Sequence, residues 1–89
     1  MSQDIVTTVR DLMRAIGVKP EIVAALDPDV PLRRQGVDSI DFPLTALAVQ
    51  DRFTVTFSDE ELLGLRTLND VAALVLRKLE DGDGATHAS

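Results

Sequence analysis

Only one stretch of this chain, Phe53-Thr-Val-Thr-Phe57, alternates in the manner of a β-strand, and no second such run exists to pair with it. A lone strand leaves its backbone N–H and C=O groups without partners, so the stretch reads as an extended connector. Sheet architectures are thereby excluded, and the fold must be built from helices. With 89 residues the chain supports one small core, which buries only about 60% of the unfolded surface. Aromatics are 3% of the composition, with no Trp or Tyr, so that core has to be aliphatic.

Helical periodicity recurs in three places. Ile5, Val6, Val9, Leu12, Met13 and Ile16 fall on one helical face, with Asp4, Arg10, Asp11 and Arg14 between them. Ser2 is the expected N-cap and Gly17 the stop, with Pro20 just beyond. From Gly17 to Gly36 the chain reads mostly as a connector, with one short helical turn over Glu21–Leu26 and turn chemistry at Asp27-Pro28-Asp29. A loop of that length usually has a functional reason. Its Val18, Ile22, Val23, Leu26, Val30 and Leu32 suggest that it packs across the helices.

The second clear helix spans Ser39 to Arg52 and carries two apolar stripes. Ile40, Leu44 and Leu47 share one; Phe42, Ala46, Val49 and Phe53 share another, nearly opposite. So small a chain cannot sandwich a helix on both sides, so the Ile40-Leu44-Leu47 stripe is read as a recognition face. Pro43 brings no N–H to the start of the hydrogen-bond ladder and predicts an irregular first turn. Ser58-Asp59-Glu60-Glu61 is a capping box opening a short helix that Gly64 ends. Thr67-Leu68-Asn69-Asp70 opens the last helix, Leu68 to Glu80, with Leu68, Val71, Ala72, Val75 and Leu79 facing inward. The sum is an all-α bundle of three main helices and one short helix with a long first loop. The expected organisation is one domain over residues 1–80 and a disordered polar tail over 81–89.

Several chemistries are excluded or left without support. There is no Cys, hence no disulfide, no Cys-based zinc and no thiol nucleophile. The single His87 lies in the tail, which removes an ordered imidazole for Ser-His-Asp catalysis or metal binding. Asp81-Gly-Asp-Gly84 lacks the spaced third ligand and closing Glu of a calcium loop. Glu60 and Glu61 are accounted for by capping, and no Walker loop, nucleophile elbow or catalytic carboxylate pair is present. A net charge of -6 repels phosphate backbones and argues against nucleic acid. No run reaches the roughly 20 apolar residues of a membrane span. The start, Met-Ser-Gln-Asp, lacks the basic and apolar regions of a signal peptide, so a cytoplasmic monomer is expected.

One segment could carry function. Gly36-Val37-Asp38-Ser39-Ile40 joins the long loop to the two-striped helix. Gly36 lets the backbone turn, and Asp38 or Ser39 is expected to cap the helix, leaving a hydroxyl at its N-terminus. By itself, Asp-Ser before an apolar-periodic run also describes an ordinary helix start.

With its surroundings, the segment resembles the acyl carrier protein family across roughly residues 2–80. That family has G-x-D-S-[LI] at the start of its second helix, here Gly36-Val37-Asp38-Ser39-Ile40, and a Phe about fourteen residues later, here Phe53. The stretch Val55-Thr-Phe-Ser-Asp59-Glu60-Glu61, the Thr67-x-x-Asp70-Val71 pattern and Asp27-Pro-Asp-Val-Pro-Leu32 also look like the family's. The resemblance implies a four-helix bundle of acyl-carrier type and a non-catalytic role. Ser39 would be the attachment point of a covalent 4′-phosphopantetheine taken from coenzyme A, flanked by Gly36, Asp38 and Ile40. The arm's thiol would hold acyl groups as thioesters. The partners implied are a phosphopantetheinyl transferase and the ligase, ketosynthase and acyltransferase that load and process the acyl group, docking on Asp41, Leu44, Leu47 and Asp51. Asp38 before the Ser favours an acyl over an aminoacyl or peptidyl carrier, whose motif more often reads G-G-x-S.

The chain also departs from the family. Leu44 and Gln50 stand where Glu is familiar, Arg52 adds positive charge, and Arg33 and Arg34 precede the motif in a loop that is often acidic. This points to a specialised carrier for a modified-lipid, polyketide or other secondary-metabolite pathway. The competing reading outside carrier chemistry is an unmodified helical interaction domain using the Leu44 face. The expected core is Val9, Leu12, Ile16, Ala46, Val49, Phe53, Leu68, Val71, Val75 and Leu79.

Overall fold

The computed structural model describes residues 2–81. Its elements are α1 (Ser2–Ala15), α2 (Pro20–Ala25), a 3-10 helix (Leu32–Gln35), α3 (Asp41–Phe53), α4 (Asp59–Leu63) and α5 (Leu68–Glu80). The described residues are all-helical, with three long helices, as the missing strand partner demands. Two details of the expectation change. The long first connection contains two short elements rather than one helical turn, and Ser2 lies inside α1 instead of capping it. Beyond Asp81 the expected disordered tail, with His87 and the Asp-Gly repeat, lies outside the described residues.

α1 packs chiefly against α5, then against α3 and α2. Val9, Met13, Val23, Leu32, Val49, Leu68, Val71 and Val75 are fully buried at their junction. Leu12, Ile16 and Phe53 are half-buried and pack against the cluster's edge. Leu79 does not face inward: it is 46% exposed, because the apolar cluster ends at Leu76, one turn earlier.

The long connection is tied down at both ends. Arg10, at the edge of the α1 core face, sends Nη1 to the Val23 carbonyl (2.6 Å) and Nη2 to the Leu26 carbonyl (2.9 Å). The Val23 carbonyl also accepts from the Leu26 N–H (3.2 Å), so Arg10 adds a second bond at the end of α2, where a cation meets the favourable end of the helix dipole. Further on, the Leu32 N–H donates to the Arg66 carbonyl (2.8 Å) and the Asn69 N–H to that of Pro28 (3.1 Å). Gln35 braces the turn between, accepting from the Asp27 N–H (2.7 Å) and donating to the Val30 carbonyl (2.9 Å). Val18, Val23, Leu26 and Leu32 are thus buried, and Ile22 and Val30 half-buried.

The connector expected over Phe53–Phe57 is shorter: Phe53 still belongs to α3 and Thr54 is its left-handed cap, so only Val55–Phe57 link α3 to α4, with Val55 and Phe57 buried. Thr54 ends α3 in the left-handed region (φ 56°), uncommon for a β-branched residue. Gln50 supports it: its carbonyl accepts from the Val55 N–H (3.0 Å), and its Oε1 from the Phe57 N–H (2.9 Å). Gln50 is therefore a half-buried brace, although its sequence position suggests a docking residue.

Glu61 fastens α4 to α5. Within the Ser58 capping box its Oε1 accepts from the Ser58 N–H (2.8 Å), and the same carboxylate pairs with Lys78 (2.9 Å) and Arg77 (3.4 Å). The Ser58 N–H first, and the Lys78 ammonium second, hold its carboxyl below the usual carboxylate range. A lowered native pKa favours the charged form, so this contribution to stability is complete above the unfolded glutamate value of about 4.3 and is lost as pH falls through the native one. The melting-temperature gap between the parent chain and Glu61→Gln should be present at neutral pH and close on acidification below that range. A gap unchanged at low pH would remove the carboxylate from the account.

Candidate functional site

Ser39 sits where the long connection enters α3. The 3-10 helix ends at Gly36 with φ 94°, and its N–H closes on the Leu32 carbonyl. A side chain there would be strained by that φ, and its Cβ would sit 3.4 Å from Ile22 Cδ1. Val37 is buried, anchoring the next residues from below. Asp38, Ser39 and Ile40 then emerge exposed, Ile40 with 72% of its surface accessible.

The expected capping by Asp38 or Ser39 is not what the structure shows. α3 begins at Asp41, its N-cap is Ile40, and no side chain caps it. The cause is Pro43. The Phe42 N–H reaches the Asp38 carbonyl (3.1 Å), a first helical bond. The next bond of the ladder would run from residue 43 to Ser39, and proline has no N–H to make it. Ser39 and Ile40 are left as a turn ahead of the continuous helix, the irregular first turn that Pro43 predicts.

This sets Ser39 apart from the two other hydroxyls that precede helices. Ser58 Oγ accepts from the Glu61 N–H (3.1 Å), and Thr67 Oγ1 from the Asp70 N–H (3.0 Å). Each has an acidic residue three places on to complete a capping box; Ser39 has Phe42. The side chains of Ser39 and Asp38 make no hydrogen bond among the described residues. Ser39 thus presents an uncommitted hydroxyl beside the positive end of a 13-residue helix.

The predicted docking residues fall where their spacing puts them. Ile40, Leu44 and Leu47 form one stripe of α3, exposed by 72%, 43% and 64%. Asp51 continues that stripe and is exposed; Asp41 flanks it, half-buried. The opposite stripe supplies buried Ala46 and Val49 and half-buried Phe42 and Phe53. Leu63 of α4, which sequence reasoning did not single out, is 81% exposed. Nor does the sequence show that Arg33 and Arg66 line one cavity, since long-range bonds such as Leu32–Arg66 and Asn69–Pro28 bring the two segments together.

The site fits a phosphopantetheine arm by its chemistry: a free, exposed hydroxyl for the ester and a helix N-terminus for the phosphate. No helix among the described residues is long and apolar enough to cross a membrane. The family model for the phosphopantetheine attachment site matches residues 3–75. An acyl carrier protein of Rhodococcus erythropolis is 30% identical over 87 residues, spanning 91% of this chain and 96% of that protein.

Proposed function

Since the chain belongs to the acyl carrier protein family, whose prosthetic group is phosphopantetheine, we propose that Ser39 is its attachment point and that it carries acyl intermediates for a specialised biosynthetic pathway. The uncommitted Ser39 hydroxyl at the start of α3 is the observation that carries this reading. On docking with a phosphopantetheinyl transferase, Ser39 Oγ attacks the pantetheine-side phosphorus of coenzyme A. The new O–P bond forms at Ser39, the pyrophosphate bond breaks, and the nucleotide half leaves. The Oγ proton passes to a base on the transferase, because no His, Lys or carboxylate is bonded to Ser39 among the described residues. The N–H groups and dipole at the start of α3 then favour the phosphodiester charge. When attached, the arm supplies the thiol that this Cys-free chain lacks, on which an acyl group is held as a thioester at high effective concentration near a docked enzyme. The chain itself does no catalysis, and Asp38 favours acyl over aminoacyl or peptidyl cargo.

Intact-mass measurement after incubation with coenzyme A and a broad-specificity transferase tests the assignment. A gain of one phosphopantetheinyl group is expected. No gain, under conditions that load a reference carrier, would leave an unmodified interaction domain as the better reading.

The exposed stripe of α3 is proposed as the docking face, with Ile40, Leu44 and Leu47 providing apolar contact and Asp41 and Asp51 charge. Its apolar character fits dedicated partners better than strongly basic enzyme patches. With a ketosynthase of general fatty-acid synthesis, the loaded parent chain should react poorly, and Leu44→Glu should improve its apparent affinity several-fold. Efficient reaction by the parent, unchanged by Leu44→Glu, would contradict a specialised face.

A further inference from the structure

Two segments of this acidic chain carry no carboxylate at all. Residues 30–37 and 62–69 hold Arg33, Arg34 and Arg66, and the other six basic residues share the rest of the chain with all fifteen Asp and Glu. Folding brings the two segments together. The Leu32 N–H donates to the Arg66 carbonyl (2.8 Å), and Arg33 and Arg66 border one hollow beside Phe42. All three arginines are exposed. Asp70, the carboxylate that bounds the second segment, points one oxygen at the Arg66 and Thr67 N–H groups (3.0 and 3.2 Å).

The patch adjoins Ser39. Arg34 lies five residues before it, so their Cα atoms are no more than about 18 Å apart, and buried Val37 pins the chain between them to the bundle. An interface of ordinary size, about 800 Å² per partner, extends roughly that far from its centre. An enzyme that works on the arm at Ser39 therefore covers the arginines as well as the α3 stripe. On the α3 side it meets Ile40, Leu44 and Leu47, with Asp38 and Asp41 close to Ser39 in the chain. On the loop side it meets three guanidinium groups, against which a basic surface is a like charge that excludes the wrong partner. A polyanion is no better a match. Nucleic acid or an anionic bilayer repeats its charge across the whole contact, and would meet Asp38, Asp41 and a net charge of -6. A folded enzyme can place carboxylates only where the arginines lie, and a guanidinium pairs with a carboxylate through two parallel bonds.

Building on the carrier reading, we infer that the enzymes this chain serves present carboxylates on the loop side of their active-site entrance, opposite Arg33, Arg34 and Arg66, and an apolar surface opposite the α3 stripe. The arginines speed encounter with such an enzyme and slow encounter with one whose entrance is ringed by basic residues. Partner choice is thus set on the loop side by charge and on the α3 side by apolar contact.

The test uses the full chain loaded from octanoyl coenzyme A, with loading verified by intact mass, and a ketosynthase of general fatty-acid synthesis in two forms. One is the parent enzyme with its basic docking patch; in the other the basic residues ringing the entrance are replaced by Glu. Turnover of free octanoyl-pantetheine thioester, which needs no docking, normalises the two. With the basic enzyme, the triple variant Arg33→Glu, Arg34→Glu, Arg66→Glu is expected to raise kcat/KM for acyl transfer at least about five-fold at low ionic strength, a gain that fades at about 0.5 M salt. The corresponding Gln variant should fall between it and the parent chain. With the Glu-substituted enzyme the order should invert, the parent chain becoming the better substrate. Equal kcat/KM for parent and triple variant, or an order that does not invert, overturns the assignment while leaving the carrier reading intact. Cosedimentation of the parent chain with phosphatidylglycerol vesicles at physiological salt, lost in the triple Glu variant, would give the arginines a lipid surface and overturn it too. Failure of the chain to add mass overturns the carrier reading, and the partner assignment falls with it.

Discussion

Ser39→Ala should fold and melt like the parent chain and accept no phosphopantetheine at all. The sequence alone suggests that a helix cap would be lost, at about 1–2 kcal/mol. The structure removes that expectation, because the Ser39 side chain is exposed and makes no hydrogen bond among the described residues. A substitution at such a position usually changes stability by no more than about 0.5 kcal/mol. Thermal melting alongside intact mass reads both halves of the prediction. A mutant that still gains the group would place attachment elsewhere, and Ser58 and Thr67 are poor substitutes because capping boxes occupy their hydroxyls. A mutant that melts far below the parent would show that Ser39 holds structure that the geometry does not reveal.

Leu68→Ala should have the largest effect on stability. Leu68 opens α5, has no exposed surface and belongs to the cluster that α1, α3 and α5 share. Removing its side chain costs about 2–5 kcal/mol through lost burial and the cavity left behind. A domain this small sits at the lower end of the usual 5–15 kcal/mol, so the mutant would retain little stability. At roughly 4–8 °C per kcal/mol, its melting temperature should fall by at least about 8 °C. Denaturant titration gives the free energy directly, and a loss under about 1 kcal/mol would mean the core closes over the gap. Phe53→Ala should cost less than the 2–5 kcal/mol its size suggests, since Phe53 is only half-buried and lies under Arg52, 5.4 Å from its ring centre.

The elements that the sequence made legible are those determined locally. The starts of α4 and α5 followed from the Ser58 capping box and the Thr67–Asp70 helix-start signal, and both prove to carry reciprocal cap bonds. The two stripes of α3 followed from helical spacing, and they divide into a buried face and an exposed one. Pro43 foretold an irregular turn because a missing N–H is a property of one residue. What stayed illegible depends on groups far apart in the chain. Arg10 reads as surface charge until α2 brings the Val23 and Leu26 carbonyls to it. Gln50 reads as a docking position until Phe57 turns back to its amide. Leu79 keeps the inward phase of α5, yet the apolar cluster stops short of it. At the candidate site, Ser39 and its stripe were visible in the sequence, whereas Arg33 and Arg66 share a cavity only after folding.

The missing N–H of Pro43 also separates two thermal regimes in one short stretch of chain. From Leu44 onward the amides of α3 belong to a continuous ladder over a buried face, and exchange of their protons with solvent should require opening on the scale of the whole domain. Ser39 and Ile40 stand outside that ladder, spanned by the Phe42-to-Asp38 bond and exposed to water. Their amides should exchange orders of magnitude faster, through a local opening that leaves the core closed. The transferase proposed to act on Ser39 would therefore reshape the turn around it without drawing on the stability of the bundle.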